Sequence, residues 1–146
     1  MKSFRGLMTN GDQEQINLST NNGKTGYKIV KFKIILGNPS AESSEAVVKI
    51  FANKQTSITD KINFSDNDLL GAGFWTNEAA AHQNPEDVTI IFDNVIFNQD
   101  IFITYVDSKT TTGVNYLLEL EQVKLDLSEN TVATLKDIRN TKTQGF

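Results

Sequence analysis

The chain has 146 residues, no cysteine and one histidine, His82. That length suits one domain, at about 100–200 residues per domain, with enough chain to bury a core. Without cysteine there is no disulfide, thiolate metal site or cysteine nucleophile, and zinc sites built on Cys and His lack their ligands. A Ser-His-Asp triad could run only through His82, so an ordinary enzyme is disfavoured and neither a cofactor nor a metal is expected. The formal net charge of −4 and the isoelectric point of about 4.9 lack the basic footprint of a nucleic-acid binder. The first residues carry no apolar run of signal-peptide length, and Ile34-Ile35-Leu36 is far too short to cross a bilayer. The expected protein binds no nucleic acid and no membrane, and is made in a cytosol.

Asn and Thr occur 15 times each, a mixture that favours pleated surfaces joined by polar turns. In chain order, short strands are predicted near Phe4–Met8 and Gln15–Leu18. Tyr27 to Leu36 follows with period two: Val30, Phe32, Ile34 and Leu36 on one face and Lys31 and Lys33 on the other, Ile35 breaking the polarity. Val47–Ala52 and Val88–Phe92 read as short buried strands, with another around Gly73–Thr76. Ile101–Val106 sets Ile101, Ile103 and Tyr105 against Phe102, Thr104 and Val106. Tyr116–Leu125 places Leu118 and Leu120 opposite Glu119 and Glu121. Asn, Gly and Pro punctuate the intervals. Seven or eight short strands without a repeat or linker predict a single all-β domain over 1–146, a jelly-roll-like antiparallel β-sandwich. A short C-terminal α-helix is predicted over about 127–139. Asp126 would cap it, Glu129 would be the reciprocal partner, and Val132, Leu135 and Ile138 would form its apolar stripe. Such a helix is marginal alone, so its stripe must pack on this domain or on a neighbouring subunit.

No local pattern completes a catalytic or binding signature. His82 lies in a polar stretch with no partner identifiable from sequence. Glu119 and Glu121 share a strand face, as alternating Leu and Glu do on any solvated strand. Asp66 to Gly71 begins like a calcium loop but has Leu70 at the fifth position and Asn77 at the twelfth, so a turn or cap is the better reading. Charge is more informative. Asp60 to Asp107 carries nine acids and one base, against nine acids and thirteen bases elsewhere. Sequence blocks need not map onto faces, but this division suits a molecule with two unlike sides. Gly71-Ala72-Gly73-Phe74-Trp75 places Phe beside the only Trp. One of the pair is expected in the core and the other at a contact or in loop packing.

Several stretches resemble a family of small virion structural proteins from marine tailed bacteriophages. They are Phe4-Arg5-Gly6, Gly26 to Phe32, Val95 to Thr104, Asn115 to Leu125 and Ala133 to Arg139, with a weaker likeness between Asn38 and Glu86. The resemblance implies a jelly-roll-like sandwich on the particle surface, acting as a minor capsid or decoration (cement) protein, and supplies no catalytic residue. The expected localisation is the virion, after synthesis in the host bacterial cytoplasm. The expected partners are the major capsid protein and further copies of the chain, three-fold assembly being favoured. The expected contact residues are Phe4, Phe74, Trp75, Val132, Leu135 and Ile138. Two alternatives stand beside this: a tail, neck or baseplate component, and a carbohydrate-binding module with Trp75, Tyr27, Tyr105 and Tyr116 as sugar platforms.

Overall fold

The computed structural model describes residues 2–18, 25–38, 44–77, 86–92, 95–109 and 112–124. Eight strands appear: β1 (Lys2–Met8), β2 (Gln13–Ile16), β3 (Thr25–Leu36), β4 (Ser44–Phe51), β5 (Leu69–Asn77), β6 (Glu86–Ile91), β7 (Ile101–Asp107) and β8 (Val114–Lys124). They form two antiparallel sheets, one ordered β1-β8-β3 and the other β2-β7-β4-β5-β6. The predicted helix over 127–139, with Val132, Leu135 and Ile138, lies outside the described residues, as does His82.

Alternation decides which side chains form the core. Met8, Phe32, Ile34, Leu36, Val114, Leu118 and Leu120 come from the three-stranded sheet. Ala46, Val48, Ile50, Ile101, Ile103 and Tyr105 meet them from the five-stranded one. The periodicity predicted for β7 and β8 is observed, since Ile101, Ile103, Tyr105, Leu118 and Leu120 are fully buried.

In β3 one expectation is corrected. Val30 does not share the buried face with Phe32, Ile34 and Leu36, because it is 38% exposed. Ile29 pairs with Leu120 and Lys31 with the next residue of β8, Glu119, so Val30 is the extra residue of a β-bulge. Tyr27 and Ile29 point inward before the bulge, and Phe32, Ile34 and Leu36 after it. The bulge absorbs the change of phase from odd to even positions.

Strand β4 is buried on both faces apart from half-buried Glu45. Its outer face is covered by the 52–68 connection, which crosses the five-stranded sheet. Gln55 exchanges hydrogen bonds with Gln13 of β2 (2.9 and 3.1 Å). Lys49 Nζ donates to the Lys61 carbonyl at 2.6 Å and to Thr59 Oγ1 at 3.4 Å. Phe64 stacks edge-on against Phe92, with centroids 5.1 Å apart. Burial pushes the Lys49 pKa down, against the opposing charges of Asp60 and Asp66.

The strands of the two sheets also differ in charge, a division that coincides only in part with the Asp60–Asp107 block, because Glu14 of β2 and Glu45 of β4 lie outside it. Strands β1, β3 and β8 carry six bases against two acids, and the five strands of the other sheet carry five acids against one base.

Candidate functional site: the outer face of the three-stranded sheet

The three-stranded sheet has no described counterpart of the 52–68 cover. Pairing aligns its outward side chains in rows across β1, β8 and β3. Ser3 pairs with Glu119 and Glu119 with Lys31, Arg5 with Leu117 and Leu117 with Lys33, Leu7 with Asn115 and Asn115 with Ile35. β1 and β3 both run antiparallel to β8, so their outward residues occur in the same order. A polar or charged residue (Ser3, Lys31) comes first, then a cation (Arg5, Lys33), then an aliphatic residue (Leu7, Ile35). The long side chains on the flanking strands wall an open groove of about 740 Å³, floored by Asn115 and Leu117 of the central strand. With strands about 4.8 Å apart, the walls stand on backbones about 10 Å apart.

The groove is amphiphilic. Leu7 is 61% and Ile35 54% exposed, two of the most exposed aliphatic side chains among the described residues. The described ion pairs are Lys28–Glu121 and Lys109–Glu45, each at 3.5 Å, and neither involves Arg5, Lys31 or Lys33. Below the floor, Tyr116 points into the core, where its hydroxyl donates to Glu14 Oε2 at 2.8 Å and ties β8 to β2. Burial, and then the Glu14 carboxylate, push its pKa above the ordinary phenol value. Gly6 makes room for that ring, since a Cβ there would lie 3.2 Å from it.

Of the contact residues expected from sequence, the three that lie among the described residues, Phe4, Phe74 and Trp75, do not form one surface. Phe4 is half-buried and packs against the core from the inner face of β1. Trp75 is a core residue, 9% exposed. It alternates inward on β5 with Gly73, where a Cβ would meet Ile34 at 3.1 Å and Phe32 at 3.2 Å. Phe74 points outward, half-buried, so one of the pair lies in the core, as expected. Its row runs through Val47 to Val106 on one side and to exposed Val88 on the other, a second apolar strip on the five-stranded sheet.

Tyr27, Tyr105, Tyr116 and Trp75 are all buried. They are all the Tyr and Trp of the chain, so the sugar platforms expected of a carbohydrate-binding module are not available at these positions. Asp66 forms a turn, accepting hydrogen bonds from the Asp68 and Leu69 amides. Among the described residues no group of three or more His, Cys, Asp or Glu could hold a metal ion, and no helix is long and apolar enough to cross a membrane. Glu119 and Glu121 lie on the solvated face, as expected.

Sequence reasoning missed Arg5, Leu7 and Leu117 as a group. The available signal was Ile35, an aliphatic residue on the lysine face of β3. Only the register across β8 joins it to Leu7. No protein-family model matches the chain, and no curated protein matches it in sequence.

Proposed function

We propose that this chain is a non-enzymatic structural protein of a tailed-bacteriophage virion, a decoration (cement) or minor capsid protein that binds the outer capsid shell. The cation-walled face of the three-stranded sheet, which no described segment covers, carries the reading, because exposed aliphatic side chains beside cations without a described ion pair suit a binding surface. The resemblance of the strand segments to virion structural proteins supports it. So does the strand order. Pairs β1·β8, β2·β7 and β4·β5 are three of the four expected of a long antiparallel hairpin wound into a jelly roll, while β6 pairs with β5 instead of with β3. The major capsid protein is the partner in this reading, and symmetric repetition multiplies weak contacts into avidity. A homotrimer is the favoured assembly.

Cryo-electron microscopy and quantitative mass spectrometry of purified virions of the encoding phage test the proposal. Hundreds of copies per particle are expected. About six to twelve copies would transfer the chain to the tail, neck or baseplate, as closed symmetry there dictates. Absence from purified particles would refute the virion role.

A further inference from the structure

We propose that the groove over β8 receives an extended acidic segment of a partner protein, its carboxylates meeting Arg5, Lys31 and Lys33 and an aliphatic side chain lying against Leu7 and Ile35. This deepens the binding role above by naming the chemistry of the docked element. Charge complementarity is the first ground, since the three cations have no carboxylate within ion-pair distance among the described residues. Spacing is the second. Lys31, Lys33 and Ile35 are alternate residues of one strand, so their backbones are about 7 Å apart, the repeat of alternate side chains in any extended chain. Acid, acid and aliphatic residues at alternate positions of a docked segment therefore meet cation, cation and aliphatic residue in order.

The opposite wall repeats that polarity through Arg5 and Leu7, which fixes the direction of the segment. β8 is paired on both sides, so the occupant cannot join the sheet as a strand and is recognised by side chains. Asn115 in the floor offers an amide donor and acceptor to its backbone. A free phosphate would leave Leu7 and Ile35 exposed, so the mixed lining favours a peptide over a small anion.

The test is an amide-NMR titration of the full chain with the synthetic peptide acetyl-Glu-Ser-Glu-Ser-Leu-Ser-amide. Shifts confined to residues 5–7, 31–35 and 115–117 are expected, weakening as salt is raised. The Arg5→Glu/Lys33→Glu double variant should bind at least about tenfold more weakly, with an unchanged far-ultraviolet dichroism spectrum and melting temperature. Equal binding of a peptide with Lys in place of both Glu, shifts centred on the Phe74 row, or no shifts at millimolar peptide would overturn the assignment. Other occupants would overturn it too. Groove signals that move with protein concentration alone would mean a second copy. Groove signals that move in a Val132→Asp/Leu135→Asp variant would mean the chain's own C-terminal segment. Binding to phosphatidylglycerol vesicles that the peptide cannot displace would mean a lipid surface. Peptide failure with the chain present in virions would remove the groove assignment alone. Peptide binding with the chain absent from virions would remove the virion role alone.

Discussion

Deletion of Val30 should be tolerated, whereas deletion of Lys33, three residues along the same strand, should not. Val30 is the extra residue between Ile29, paired with Leu120, and Lys31, paired with Glu119. Without it the ladder becomes regular, and Tyr27, Ile29, Phe32, Ile34 and Leu36 all still face inward. The expected cost is about 1 kcal/mol, for local twist and one partly exposed side chain. Removing Lys33 has no such remedy. If Ile34 and Leu36 stay inward, the cheapest rearrangement straightens the bulge, which turns Phe32 out and Lys31 in. Phe32 is 1% exposed, so about 3 kcal/mol of burial is lost. Carrying an unpaired ammonium into the core adds several kcal/mol more. The total reaches the about 5–15 kcal/mol that holds a domain together, so this variant should be unfolded or nearly so. Urea unfolding followed by the fluorescence of buried Trp75 measures both. Equal destabilisation of the two deletions would refute the view that Val30 absorbs the phase change.

Asp107 Oδ1 accepts the Glu45 amide at 3.1 Å and the Lys109 amide at 2.8 Å. Asp107→Ala should therefore cost about 2–5 kcal/mol in urea unfolding, and Asp107→Asn, which keeps an acceptor oxygen, clearly less. Alkaline pH should destabilise the fold. Tyr105 and Tyr116 have folded pKa values raised above the unfolded value of 10.0, both mainly by burial, so above that pH the unfolded chain loses protons that the folded one retains. Two such groups give a fall of up to about 2.7 kcal/mol per pH unit, and the phenolate absorbance of Tyr105 and Tyr116 should appear only with unfolding. Lys49, with its folded pKa lowered from 10.5, has the opposite sign. It adds stability as pH rises towards that value, and Lys49→Met should abolish this rise in pH-dependent melts. A Cβ at Gly113 would lie 2.7 Å from the Met8 carbonyl, and Gly113→Ala should lower stability by about 1–3 kcal/mol. Gly11, at φ +87° with open space around it, should cost only the backbone term of about 1–2 kcal/mol on replacement by Ala.

Much of the fold was legible because strand burial is written locally. Period two in Ile101 to Val106 and in Leu118 to Glu121 needs no partner to be read, since adjacent side chains must point to opposite faces. The same rule failed at Val30. A bulge is defined by two residues opposite one, and the partner residues of β8 lie some 90 positions later in the chain. The Phe74–Trp75 pair shows both sides of this. Alternation ensures that one faces in, but only Gly73 closing on Phe32 and Ile34 of the other sheet accounts for the packing that Trp75 joins.

The candidate site was the least legible part. Its cations and aliphatic residues come from three strands far apart in sequence, and each looks ordinary on its own strand. Composition, charge and alternation by themselves determined an all-β chain with cationic and acidic parts, because these properties add residue by residue. Tertiary structure decided which faces the described residues leave open. The 52–68 connection closes over Lys49 on the five-stranded sheet, while the register of β1 and β3 on β8 aligns Arg5 with Lys33 and Leu7 with Ile35. Cover and register are relations between distant segments, and the pattern within any one segment does not contain them.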